Sequence, residues 1–264
     1  PFHSWTPDVY QGAPTPVTGF MAACTKLAAF GVILRVTYVG VSASRWDWSD
    51  GLWAIAAITM VVGAVLSVTQ TDVKRLLAYS SIAHAGFILV GVLAFSQAAI
   101  GGVMFYLVAY GFATVAAFGI IAMVRQGGSE ASHLSQWAGL GRSHPVVAGA
   151  FSFLLLAFAG IPLTSGFTAK FAAFAPAVEA GTGGVVLVVI AVLASAVTAF
   201  VYVRLIVLMY FTEAATEEGD EVVALTPSIP STIGITVGVL VTAVLGIVPG
   251  FLLDIASSAS EFLL

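Results

Sequence analysis

FLLLAFAGIPLTSGFTAKFAAFAPAV, residues 153–178, is the stretch that decides the fold. It is apolar for longer than the roughly 20 residues a helix needs to cross a bilayer. Yet its middle reads GIPLTSG, with Pro162 set between Gly160 and Gly166. Thr164 and Ser165 stand beside the proline, where their hydroxyls would satisfy freed backbone groups. Broken helices survive in lipid only where they are buried in protein or line a wet cavity. The alternative is an ordinary proline kink. Lys170, four residues past Gly166, favours a functional break over a kink. An ammonium at mid-membrane costs at least ~2.5–3.5 kcal/mol on insertion scales, so it reads by default as part of a proton or ion pathway.

A second lysine is equally out of place. Lys26 lies within VTGFMAACTKLAAFGVILRVTYV, residues 17–39. Composition agrees with a membrane setting. Hydrophobic residues make up 59% of the 264 and charged residues only 8%, with a mean hydropathy of +1.05. No soluble domain of this length hides so much apolar surface, so the chain reads as an all-α, multi-pass membrane protein whose first partner is the lipid bilayer. The net charge of −4 is small and scattered, which argues against a nucleic-acid partner. Cys24, alone of its kind, allows no disulfide framework and no cysteine-built metal or iron–sulfur site, and reads as a small packing residue. The start at Pro1, without a methionine or a signal peptide's basic flank, reads as a piece of a longer chain.

Seven spans are expected in a single transmembrane domain, 1–264: about 15–41, 52–70, 73–95, 98–124, 146–177, 183–211 and 229–249. Thr71 or Asp72 is placed to cap the third, and Pro145 and Pro230 fall near the first turns of the fifth and seventh. The polar stretches 125–144 and 212–228 read as ordinary inter-helix loops. With these spans, loops 1–14, 71–74, 125–144 and 212–228 share one side, together with Lys74, Arg75, Arg125, Arg142 and the nearby Arg204. Arg35 and Arg45 lie toward the other. The positive-inside rule then makes the first side cytoplasmic and puts the C-terminus outside; the acidic run 213–221 does not count against it.

Helical rise gives the depth. At 1.5 Å per residue Lys26 is about 15 Å from Pro16, His84 about 18 Å from Asp72, and Lys170 about 16 Å from Gly181. Three protonatable groups from three helices thus sit near the midplane of a core about 30 Å thick, as a relay would. His84 alone reads equally well as a hydrogen-bonded packing residue. The lysines do not, because their stems cannot snorkel so far. Tyr79, Ser80 and Ser81 lie between the interface and His84, where they would serve either a water chain or helix packing. Lys74 and Arg75, at a helix start, are explained by topology and headgroup contact, and His133 and His144 are loop residues. None of the 13 acidic residues falls in mid-span. Any carboxylate partner for the lysines at depth must come from elsewhere, and a lysine held between burial and such a charge is suited to load and release a proton.

PFHSWTPDVYQGAPTPVTGFMAACTK (1–26), TDVKRLLAYSSIAHAGF (71–87) and AGIPLTSGFTAKF (159–171) together resemble the subunit N family of proton-pumping NADH–quinone oxidoreductase, respiratory complex I. Related sodium/proton antiporter subunits share the H-x-W-x-P and K-R-L-L-A-Y-S-S blocks, while TPDVYQGAPTPV favours subunit N. The resemblance implies fourteen helices in two inverted repeats, each with a broken helix, and matches the seven spans here to helices 8–14. It implies that Lys26 is the family's central lysine, His84 the histidine next in line and Lys170 the lysine on the second broken helix. The family's glutamate–lysine pair would lie upstream of Pro1. It further implies a non-redox subunit of a translocase in the cell's inner (plasma) membrane. This chain would hold no cofactor, with NADH, FMN, iron–sulfur clusters and quinone in partner subunits. The rivals are a secondary sodium/proton antiporter subunit, which exchanges ions without electron input, and a purely structural membrane subunit.

Overall fold

A computed structural model describes residues 2–213 and 222–260. After a short helix, α1 (Thr6–Gly12), one continuous rod runs from Thr15 to Gly40. It consists of α2 (Thr15–Phe20), a π-helical segment (Met21–Thr25), α3 (Lys26–Arg35) and a second π segment (Val36–Gly40). Next come α4 (Arg45–Val68), α5 (Val73–Leu93) and α6 (Gln97–Ile121). Asp72 caps α5 by accepting from the Arg75 amide at 2.9 Å, and Ser96 caps α6. Beyond β1 (Val124–Gln126), β2 (Ser129–Glu130) and the single turn α7 (Leu140–Ser143) come α8 (Pro145–Ala159), α9 (Ser165–Glu179) and α10 (Thr182–Phe211). β3 (Val223–Ala224), α11 (Ile229–Ile247) and α12 (Gly250–Ser260) complete the described chain.

Among the described residues six helical rods are long and apolar enough to cross a membrane unaided. The interrupted stretch around residue 162 is two helices, α8 and α9, with a non-helical break between them. Burial orders the bundle. In their most apolar stretches α5 and α6 are 83% and 72% buried, against 28% for α10 and 17% for α11. The first pair therefore forms the axis and the second pair turns apolar faces outward, including Leu193 and Phe200 of α10 and Ile233 and Leu240 of α11. Helices hydrophobic all round suit a setting with no water on the outside.

Three expectations are corrected. The polar stretches 125–144 and 212–228 are not plain loops, because parts of them build an antiparallel sheet in the order β2-β1-β3. Gly127 and Gly128, with φ of 57° and 78°, make the tight β1–β2 turn that only such residues adopt without strain. The Leu134 amide also donates to Thr71 O at 2.7 Å, tying this sheet region to the start of α5. Of the acidic run 213–221, positions 214–221 lie outside the described residues. Second, 1–14 is not a surface loop. Tyr10 is buried, and Phe2 and His3 line the same groove as Lys26 and Ser81. Third, the α-helical rise used to place Lys26 does not hold throughout its rod, since a π segment ends directly before the lysine.

At the opposite end of α6 from the sheet, α12 lies against the first turn. A Cβ built on Gly101 would meet Ser257 Oγ at 3.3 Å.

Candidate functional site

Helix ends in lipid leave carbonyls without partners, and the break after α8 is such an end. Gly160 closes α8 in the left-handed region at φ 83°, and Leu163 holds φ 70° within the break. Positive φ is strained for a leucine and persists only where its surroundings enforce it. Thr164 Oγ1 donates back to Ile161 O at 2.7 Å, as the break needs. The remaining carbonyls are taken by Lys170 itself. Its Nζ donates to Phe158 O at 3.1 Å, Ala159 O at 2.8 Å and Ser195 Oγ at 2.6 Å. An ammonium has three N–H donors, and all three are used. A cation here also meets the negative end of the α8 dipole. Phe87 closes the site, its ring centre 5.1 Å from Nζ.

Lys26 opens α3. A π turn carries one residue more than an α turn and so rotates the helix beyond it, and such turns gather at functional positions. Thr25 Oγ1 bonds back to Met21 O at 2.5 Å within the same segment. Lys26 Nζ donates to both Ser81 O and Ser81 Oγ at 2.8 Å, and lies 4.0 Å over the Tyr110 ring. A carbonyl oxygen has two lone pairs, so Ser81 O serves the lysine without leaving its helix.

His84, one turn beyond Ser80 and Ser81 on α5, is buried between the lysines. Its Nδ1 is 2.7 Å from the Tyr106 hydroxyl and its Nε2 3.4 Å from that of Tyr202. Tyr202 in turn hydrogen-bonds Ser80. The rings of Phe87, Tyr110 and Phe158 surround the imidazole. A cavity of about 10 Å³ joins His84 to Ser165 at the start of α9, room for about one water.

The structure therefore brings together Lys26 with Ser81, His84 with Tyr106, Tyr202 and Ser80, and Lys170 with Ser195; His84 and Lys170 are buried and Lys26 half-buried, with Thr164 and Ser165 at the break. Tyr79 stands apart, its ring 5.9 Å from the Arg75 guanidinium. Lys74 and Arg75 also meet protein groups: Lys74 is buried against Ala13 O at 3.1 Å, and Arg75 pairs with Asp8 at 2.6 Å. Five contributors went unread in the sequence: His3, Tyr106, Tyr110, Ser195 and Tyr202. Spacing carried a signal for the last four. Tyr106 and Tyr110 stand four apart on α6, and Ser195, Thr198 and Tyr202 keep one face of an otherwise apolar α10. Among the described residues no three His, Cys, Asp or Glu side chains gather as a metal set.

Residues 1–198 match the family described as NADH:quinone oxidoreductase/Mrp antiporter, TM. The chain belongs to this family. NADH-quinone oxidoreductase subunit N of Salinispora arenicola is 59% identical over 262 residues, covering 99% of this chain and 50% of its own length. A chain of respiratory complex I from Thermus thermophilus with bound aureothin superposes with a TM-score of 0.80 at 34% identity, covering 96% of this chain and 54% of that one. A chain of the Mrp complex from Dietzia sp. DQ12-45-1b superposes with a TM-score of 0.81 at 23% identity, over 99% and 55%, which speaks to the fold alone. The chain thus spans about half the length of the curated relatives it matches. Family and apolar helices together make it a multi-pass membrane protein.

Proposed function

We propose that this chain works as a proton-translocating membrane subunit of an NADH–quinone oxidoreductase, driven by NADH-to-quinone electron transfer in partner subunits. The observation that carries the proposal is the succession of protonatable centres inside the bundle: half-buried Lys26 on Ser81, buried His84 between two tyrosine hydroxyls, and buried Lys170 at the break. Protons would pass from Lys26 to His84, and from His84 by way of the tyrosine hydroxyls and the small cavity to Lys170. Lys170 is suited to gate the far end. Its ammonium fills three acceptors at the break, and a neutral amine, with two N–H groups, must release one of them. Loss of the proton thereby loosens the contact between α8, α9 and α10. NADH, FMN, iron–sulfur clusters and quinone would reside in the partner membrane and peripheral subunits, and this chain would contribute none of the redox chemistry. It would lie in the cell's inner (plasma) membrane with its C-terminus outside.

The rival is a secondary sodium/proton antiporter subunit, which the family description also covers. The Salinispora arenicola relative, 59% identical, is named NADH-quinone oxidoreductase subunit N, which supports the first reading. The test is Lys170→Ala in the whole complex, assayed for NADH-driven proton uptake into inside-out membrane vesicles. Uptake should fall to background while the complex still assembles. Undiminished uptake per electron would overturn the proposal, and ion exchange in membranes stripped of all redox subunits would favour the rival.

A further inference from the structure

Resting on that proposed function, the geometry points to Glu130 as the carboxylate that collects protons from the aqueous phase for Lys26. Glu130 ends the β1–β2 hairpin, at the sheet-bearing end of the bundle. Its side chain is 24% exposed, so it touches water, and its inner oxygen reaches two buried groups. It accepts a hydrogen bond from Thr15 Oγ1 and lies 3.7 Å from Lys74 Nζ. Lys74 in turn donates to Ala13 O. A carboxylate so placed, wet on one side and bonded inward on the other, can take a proton from water and hand it on. Four neighbouring charges are otherwise engaged. Arg125, its register partner across the ladder, turns to Ala122 O, while Arg75 and Asp8 pair with each other and Asp72 caps α5.

From Glu130 inward the buried groups are hydroxyls. Thr15 is 1% exposed, Thr18 0%, Tyr10 3% and Ser81 4%. Thr18 donates to the backbone carbonyl of Tyr10, the Tyr10 and Tyr110 side chains interact with Ser81, and Ser81 holds Lys26, so waters must bridge Thr15 to the Tyr10 hydroxyl. Lys74 and Ser81 are seven residues apart on one face of α5, so the row covers about 10 Å. Buried hydroxyls in an apolar bundle are costly unless bonded, and here they lie between Glu130 and Lys26. In the transfer, a proton from water bonds to the Glu130 carboxylate. It is then passed along hydroxyls and transient waters to the neutral amine of Lys26. Each hydroxyl ends with the single proton it began with, Glu130 returns to carboxylate, and Lys74 keeps its charge throughout.

The experiment uses the whole complex in inside-out vesicles, with Glu130→Gln, Glu130→Asp and Lys170→Ala side by side. Glutamine keeps the acceptor for Thr15 but cannot carry the proton. Uptake should slow at least five-fold in Glu130→Gln and recover in Glu130→Asp. Added millimolar formate or azide, small weak acids that can carry a proton past the glutamine, should restore Glu130→Gln. Normal uptake in Glu130→Gln, with Lys170→Ala silent, would overturn the inference and leave the proposed function standing. Slowed uptake that neither weak acid restores would also overturn it, reducing Glu130 to a tether between the hairpin, α2 and α5. Normal uptake in Lys170→Ala would overturn the proposed function first.

Discussion

A single hydroxyl shows how the line is held together. Tyr202 reaches both His84 and Ser80, so it links α10 to two positions on α5. Interhelical polar pairs in membranes average only about 0.6 kcal/mol and reach ~1.7 at most. Tyr202→Phe should therefore assemble normally, with stability changed by less than about 2 kcal/mol. Its proton uptake should nevertheless fall several-fold, because the ring remains and the hydroxyl does not. Uptake equal to wild type at equal complex content would take Tyr202 off the pathway. The same contrast explains what the sequence could disclose about residues. Lys26 and Lys170 were legible because a charge deep in an apolar run has no inexpensive explanation, and His84 only because it shares their depth. Tyrosines and serines are routine in membrane helices, so Tyr106, Tyr110, Ser195 and Tyr202 carried a signal only in their spacing, and His3 only in three dimensions.

The break between α8 and α9 is an element built by close approach. A Cβ placed on Gly166 would lie 1.8 Å from Ala157 O, and one on Gly246 of α11 2.4 Å from Leu163 O. Neither contact can be relieved by turning a side chain, since both obstacles are backbone. Gly166→Ala should force α9 away from α8 and cost about 1–3 kcal/mol as overpacking, seen as a lower thermal midpoint and less assembled complex in detergent. Gly51→Ala, where nothing lies within 4 Å, should stay within about 0.5 kcal/mol of wild type. An unchanged midpoint for Gly166→Ala would mean that the two half-helices are not locked as the structure has them. The break was legible in GIPLTSG because proline and two glycines leave a helix little choice there. The π segments at 21–25 and 36–40 were not, because the same apolar residues serve α and π turns alike. Nor was the sheet, whose strands of two or three residues are too short for an alternating pattern to register.

At the scale of the whole molecule, orientation depends on which loops are gathered at which end. Thr71, Leu134 and the three strands are joined by hydrogen bonds, so the connections after α4, α6 and α10 share one face. Arg204 of α10 belongs to the same end, since it donates to Val68 O at the last turn of α4 at 3.2 Å. Lys74, Arg75, Arg125 and Arg142 add to this face, which the proposed orientation turns toward the cytoplasm. α12 meets α6 near Gly101, at the other end. Alkaline phosphatase, active only after export, should therefore be active when fused to the C-terminus of the whole protein. Green fluorescent protein at the same place should stay dark. Inserted after Gly127, at the tip of the β1–β2 hairpin, the fluorescent protein should be bright. The opposite pattern would place the sheet outside, and Glu130 would then face the phase into which protons are released rather than the one from which they are taken.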